Sequence, residues 1–379
     1  MLQPLRRAPE GAMAQVAFFV PFSFGRGVER VNVTLAKALA ARGIEVDVVV
    51  ARGNGPYFGE LNGRAHLVEL AAGRTPASLA PLARYLRRRR PPVLLSAPDA
   101  GSIVALLARR LARVDTRIVT VTHAVLSRSL KRKPGPYRRA FPHLLRRLYA
   151  TADALVAVSG AVADDLAQMA RLPRSRVHVI PNPVVHDGLL VQTRDPADHP
   201  WLQSRSAPVI LSVGRLNGEK NYGDLLRAFA RLRPERRARL IILGEGTERA
   251  RLERLAADLG VADDVSLPGF VNNPYGYMAR ADLLALSSNY EALPTVVIEA
   301  LACGCPVVAT DCPGGVREIL GGGRWGRLVP AGDHEAMKEA LQRTLHEPPC
   351  PERLRQRALE FHVDRVVDRY LRVLDVDPA

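Results

Sequence analysis

Short apolar runs alternate with amphipathic stretches along almost the whole chain. In the first half the runs fall at residues 15–20, 45–50, 93–95, 118–122, 154–158 and 177–180. Stretches with helical spacing lie between them at 29–41, 79–90, 101–111 and 161–170. Continuous apolar strands separated by helices predict a parallel sheet covered on both faces. Around 181–208 the pattern lapses into a Pro-, Asp- and His-bearing stretch that reads as a boundary. It restarts with runs at 209–213, 240–243, 265–267, 283–286, 307–310 and 327–329, and helical stretches at 224–232, 249–259, 295–302 and 334–345. The pattern predicts two doubly wound α/β domains, 13–195 and 205–351, facing each other across a cleft. A last helical stretch, 352–374, is expected to return to the first domain.

The length of 379 residues suits two domains of roughly 180 residues each. With 47% apolar and 24% charged residues, disorder, collagen and coiled coil are excluded. No run of 18 apolar residues occurs, so no helix is expected to span a bilayer. The first twelve residues lack the apolar centre of a secretory signal, and Met13 is a second candidate start. Cys303, Cys305, Cys312 and Cys350 contain no C-x-x-C spacing, which argues for buried thiols in a reducing compartment and against zinc.

Charge changes the picture more. The net charge is +16, and residues 84–147 hold 17 basic and two acidic residues, a net of +15. Such a segment suits phosphate, as nucleic acid, anionic lipid or anionic substrate. The plainer alternative is a solvated arginine-rich surface, since 49 of the 54 basic residues are Arg. A nucleic-acid binder should interleave aromatic residues for stacking, but only Tyr85, Tyr137 and Phe141 occur there. Residues 127–149 read instead as a basic, partly amphipathic element with Leu126, Leu130, Phe141, Leu144, Leu145 and Leu148 interleaved, suited to an anionic membrane surface.

Candidate chemistry gathers where strands end. The first strand leads to Gly25 and Gly27 and then a helix, a phosphate-approach turn or a plain tight turn. The dinucleotide fingerprint fails, because Arg30 stands where its third glycine would be. After 209–213 come Gly214, Arg215 and Lys220, two cations of different shape that suit a diphosphate. Alone they would read as exposed loop charges. The turns at Gly244, Gly246 and at Gly269, Phe270, Val271 leave main-chain groups to read a planar base. The strongest element is Glu291-Ala-Leu-Pro-Thr-Val-Val-Ile-Glu299. Pro294 suits a first helical turn, so Thr295 and Val296 open a helix with free N–H groups. Glu299 lies inside that helix among apolar neighbours, where a carboxylate needs a partner.

The E-x7-E, with its flanking S-N-Y-E-A-L-P-T and A-C-G-C-P-V-V-A-T, resembles the retaining GT-B glycosyltransferases of family 4, the group 1 glycosyl transferases. The likeness runs from about residue 14 to 374 and includes V-S-G at 158–160 and I-P-N-P at 180–183. It implies two Rossmann-like domains, with a nucleotide-sugar donor on the second and an acceptor on the first. Arg215 and Lys220 would bind the donor diphosphate, Glu299 the ribose and Glu291 the transferred sugar, with Leu293 also among the donor-binding residues. Thr295 and Val296 would offer backbone N–H groups, and Gly25 and Gly27 would border the phosphate. His123, closing the strand at 118–122, matches the family's histidine near the reacting sugar, although a lone histidine is commonly structural. Ala292 departs from the usual glycine after the first glutamate.

The implied reaction transfers a hexose or N-acetylhexosamine with retention and without cofactor or metal, the cations standing where a metal-binding Asp-x-Asp would be. A UDP-sugar is expected over GDP-mannose, with a glycan, polyprenyl-linked or other lipid-linked acceptor at the inner face of the plasma membrane. Rival readings are a sugar-nucleotide epimerase or phosphorylase of the same architecture. A phosphorylase would need a pyridoxal lysine, and only five lysines are present.

Overall fold

The structure, a computed structural model, describes residues 14–21, 27–52, 58–61, 65–131 and 133–377. The chain divides into two compact units, residues 1–183 with 363–379, and residues 184–362. The first holds seven parallel strands: β1 (Val16–Val20), β2 (Val46–Val50), β3 (Ala65–Glu69), β4 (Val93–Ser96), β5 (Arg117–Thr122), β6 (Ala154–Ala157) and β7 (Val177–Val179). Their order in the sheet is β3-β2-β1-β4-β5-β6-β7. The second holds six: β8 (Val209–Val213), β9 (Arg239–Leu243), β10 (Val265–Gly269), β11 (Leu283–Leu286), β12 (Val307–Thr310) and β13 (Arg327–Val329), in the order β10-β9-β8-β11-β12-β13.

Central strands such as β1, β2 and β11 are buried at every position, the cost of their backbone met by parallel pairing on both sides. The edge strand β3, absent from the reading of apolar runs, is half-exposed along most of its length. Helices cover the faces, and their apolar sides build the core. In the second unit Leu225, Leu226 and Phe229 of the helix Tyr222–Leu232 are fully buried with Leu240 and Ile242 of β9. At about 25 cal/mol per Å², each such side chain contributes roughly 1.5–3 kcal/mol.

The first unit closes earlier than the sequence pattern suggested, and the second extends further at both ends, over 184–362 rather than 205–351. Residues 184–204 belong with the second unit rather than with a first domain ending at 195. The physical reason is a set of bonds made there: Val184 and Val185 N–H donate to Phe361 O at 3.1 Å, and Arg280 Nη1 to Asp195 O at 2.8 Å. The terminal stretch is likewise two helices. Pro351–Ala358 packs on the helix Thr295–Cys303 of the second unit, and only Val363–Leu374 returns to the first, against the helix Gly27–Ala41. Arg42 anchors that return through Asp364 and Asp368.

Candidate active site

In an open parallel sheet, ligands bind where the strand order reverses, beyond the carboxyl ends of the two strands that flank the reversal. In the second unit these are β8 and β11. The loop after β8 carries Gly214, Arg215 and Lys220, and the loop after β11 carries Glu291. There the charges of the two loops meet. Lys220 Nζ donates to Glu291 Oε1 at 2.5 Å, and Ser288 Oγ donates to the same oxygen at 2.7 Å. The side chains of Lys220 and Glu291 are 18% and 14% exposed. A carboxylate so enclosed requires these donors.

Backbone bonds hold the two loops together. Asn289 N–H donates to Glu219 O at 2.9 Å, Asn289 Nδ2 to Gly218 O at 3.0 Å, and Ser287 Oγ to Lys220 O at 2.8 Å. Glu291 is further clamped on its main chain. Its N–H donates to Pro313 O at 3.0 Å, and its carbonyl accepts from Gly315 N–H at 3.1 Å. Gly314 passes so close that a Cβ there would stand 1.3 Å from Glu291 O, at a φ of +131°. Only glycine fits.

Tyr222, the first residue of its helix, lies with its hydroxyl beside Gly214 and Lys220. That hydroxyl is buried without a hydrogen-bond partner. Burial, and then the Glu291 carboxylate, hold the phenol well above its ordinary value. Cys312 is a buried neighbour; burial and then Glu291 push its thiol up to about 11. Burial pushes Cys303 up to about 12 and Cys305 well above the ordinary thiol value, so these three are inert core thiols, whereas Cys350 is exposed.

The neighbouring strand ends form a ladder of main chain. Gly214 N–H donates to Leu243 O at 2.9 Å, and Gly244 N–H to Gly269 O at 2.8 Å. A Cβ on Gly244 would lie 2.0 Å from Gly214 O, and one on Gly246 2.2 Å from Leu216 O. Phe270, next along, is 75% exposed, and Val271 is half-buried. Thr295 and Val296 open the helix Thr295–Cys303, whose remaining residues are buried apart from the half-buried Glu299. Leu293 is buried just before it, and Arg215 is exposed. The structure thus joins Gly214, Lys220 and Glu291 directly and sets Gly244, Gly246 and Phe270 beside them. Among the described residues, no three His, Cys, Asp or Glu side chains come together as a metal site.

In the first unit His123 follows β5, and its Nε2 is buried with no hydrogen-bond partner. Burial lowers its pKa to about 4, weakly opposed by the Asn182 side chain. Beneath it Asp99 is buried and accepts from Thr122 Oγ1 at 2.6 Å and Tyr149 Oη at 2.8 Å. Gly25 lies outside the described residues. Gly27 opens its helix, and a Cβ there would meet nothing within 4 Å, so no packing in the structure demands that glycine.

The basic segment differs from expectation. Residues 127–149 form two helices, Leu126–Leu130 and Gly135–Tyr149, the second starting just past Pro134. Leu126, Leu130, Phe141, Leu145 and Leu148 are buried in the unit itself, because the helices use their apolar sides on the core. Among its described large apolar side chains, Tyr137 and Leu144 remain exposed, at 39% and 42%. Several cations are also engaged: Arg109 with Asp153 and Thr151 O, Arg146 with Met169 O, Arg117 with Val373 O. Lys131, Lys133, Arg138 and Arg139 are exposed, in the chain that follows the carboxyl end of β5.

Sequence reasoning missed Gly314, Ser288, Tyr222 and Asn182. The Pro-Gly-Gly at 313–315 was the available signal for the first, since paired glycines mark close backbone approach.

With this geometry, two family models match almost end to end. Residues 25–187 match the one described as Glycosyltransferase Family 4, and residues 195–361 the one described as Glycosyl transferases group 1. The chain is 43% identical over 138 residues to N-acetylgalactosamine-N,N'-diacetylbacillosaminyl-diphospho-undecaprenol 4-alpha-N-acetylgalactosaminyltransferase of Campylobacter jejuni, covering 36% of this chain and 37% of that protein. It is 28% identical to the lipopolysaccharide core biosynthesis glycosyltransferase LpsE of Rhizobium meliloti, covering 94% and 98%. The solved structure of Anabaena HepE in complex with UDP superposes with a TM-score of 0.78 at 20% identity, covering 95% of this chain and 99% of that one.

Proposed function

This chain belongs to the group 1 glycosyltransferases of family 4, with the GT-B fold, and we propose that it moves a hexose or N-acetylhexosamine from a UDP-sugar to a lipid-linked glycan acceptor with retained configuration. The observation that carries this is the Lys220–Glu291 contact at the β8 and β11 ends, under the Gly314 clamp. A cation and a carboxylate held at one point suit a ligand whose diphosphate adjoins a hydroxyl-rich sugar. Arg215 and Lys220 neutralise the departing diphosphate, the largest electrostatic demand of the step. Glu291 accepts from hydroxyls of the transferred sugar, Glu299 from the ribose, and the first N–H groups of the Thr295 helix face phosphate. The bond from the acceptor oxygen to the anomeric carbon forms as the bond to diphosphate breaks, and the acceptor's proton passes to the leaving phosphate. No metal is required, because the two cations occupy that role.

Support for UDP comes from the HepE complex, and support for a polyprenyl-linked or lipopolysaccharide acceptor from the names of the Campylobacter and Rhizobium relatives. No helix among the described residues is long and apolar enough to cross a membrane. Lys131, Lys133, Arg138 and Arg139 instead bring the enzyme to anionic head groups at the cytoplasmic face, with Tyr137 and Leu144 at the contact.

The test is a panel of UDP- and GDP-sugars assayed for nucleoside diphosphate release that depends on an added lipid-linked acceptor, with and without EDTA. A UDP-sugar should be consumed equally in both. Glu299→Ala should weaken binding of both UDP and the UDP-sugar by about 1.5–3 kcal/mol, the size of a hydrogen bond to a charged group. Abolition by EDTA with recovery on manganese, or unchanged UDP binding in Glu299→Ala, would overturn the site assignment.

A further inference from the structure

We propose that Asn182 is a positioning residue for His123, holding the imidazole in the tautomer that carries its proton on Nε2. The inference rests on the reading of His123 as a group that meets the transferred sugar. His123 leaves β5 and Asn182 leaves β7, with β6 between them. Backbone bonds tie these strand exits in a row: Val158 N–H donates to Thr122 O at 3.3 Å, and Ile180 N–H to Ala157 O at 3.0 Å. Asn182 stands between Pro181 and Pro183. Pro181 fixes its own φ, and Pro183 biases the preceding residue to extended backbone, so the amide is delivered with little freedom.

Asn182 is only 7% exposed. Two side-chain atoms at this rim, His123 Nε2 and Asn182 Oδ1, are buried without hydrogen-bond partners. They are complementary, one able to donate as N–H and the other able only to accept. The Asn182 side chain already acts on the ring. Closing that contact satisfies two groups whose isolation is costly. With the proton on Nε2, Nδ1 keeps its lone pair and becomes an acceptor for a sugar hydroxyl. Burial keeps the ring neutral near pH 7, so its tautomer decides what it can do. The nearby ionisable groups are engaged elsewhere: Asp99 by Thr122 and Tyr149, and Asp165 by Ser127 N–H at 3.1 Å.

Imidazole nitrogen shifts, measured on the full chain by nitrogen-15 NMR with His123 assigned by its loss in His123→Gln, read the tautomer directly. The unmodified protein should show protonated Nε2. Asn182→Ala should average the two tautomers and lower kcat roughly five- to tenfold, with KM for the UDP-sugar unchanged, matching one neutral hydrogen bond. Asn182→Asp should raise the imidazole pKa and move the acid limb of kcat upward by a unit or more, while UDP binding stays constant. A protonated Nδ1 in the unmodified protein overturns the contact, whatever the variants do. Unchanged shifts and kcat in Asn182→Ala overturn it equally. Full turnover by His123→Ala overturns the reading beneath it and, with that, the catalytic half of this proposal.

Discussion

The strand-end rims of the two units differ in kind. In the second unit the rim is charged and its backbone admits no variation: Lys220 and Glu291 are in contact, and Gly244, Gly246 and Gly314 press against main-chain oxygens. In the first unit the rim groups are neutral and buried, His123 and Asn182 with unpaired atoms over an enclosed Asp99, while the cations stand outside on helices. Under the function proposed above, the difference suits two kinds of ligand. A nucleoside diphosphate is invariant and strongly charged, so its site can afford rigid glycine geometry and fixed counter-charge. A sugar offers only hydroxyls, which are read by neutral donors and acceptors whose orientation must be set from behind.

The largest expected effect breaks the rigid side. Gly314→Ala puts a methyl on Glu291 O and should cost about 3–5 kcal/mol, in the range of steric overlap that nothing can relieve. Thermal melting should show it, and activity should vanish with the displaced Glu291 main chain. Next, Lys220→Ala strands Glu291 beside Ser288 alone and should weaken UDP binding by about 2–4 kcal/mol, as for removal of one partner of an enclosed pair. Glu291→Gln should instead keep UDP binding and slow sugar transfer, a split that titration calorimetry and turnover together would resolve.

A smaller effect tests the neutral rim. The folded-state pKa of His123 is lowered to about 4 from the usual 6.5, so the unfolded chain binds the extra proton between those values. Stability from this group is present in full above pH 6.5 and is lost as the pH falls toward 4. Urea unfolding across that window should show the slope, and His123→Gln should flatten it. The smallest effect lies outside both rims. Replacing Lys131, Lys133, Arg138 and Arg139 by Ser should reduce cosedimentation with phosphatidylglycerol vesicles by about 1 kcal/mol per residue in contact, and adding salt should mimic it. Equal binding to phosphatidylcholine vesicles would remove the membrane role.

Apolar runs revealed twelve of the thirteen strands found among the described residues, because strands buried on both faces leave uninterrupted Val, Ile and Leu. The missing one, β3, is an edge strand whose half-exposed positions admit His and Glu and so break the run. Glu291, Lys220 and Glu299 were legible because a charge amid apolar residues is conspicuous. Gly314 and Ser288 were not, since their roles exist only once β11 and β12 bring distant loops together. The burial within the basic segment was hidden for a related reason. Its leucines and its arginines interleave in sequence, yet Leu126, Leu130, Leu145 and Leu148 turn inward while Leu144 stays exposed, and Arg109, Arg117 and Arg146 bond backbone carbonyls.

The Lys220–Glu291 contact also sets how the site looks from a distance. A carboxylate 2.5 Å from the ammonium is an internal counter-ion, so the two together present a dipole rather than a positive charge. Beyond a Debye length of about 8 Å at physiological salt, an approaching anion feels of this pair almost nothing. Under the proposed function, long-range attraction of the donor to the β8 end would fall to the exposed Arg215, with Lys220 acting only after arrival. Raising ionic strength should therefore slow donor association through the guanidinium alone, with the steepness of one cation instead of two.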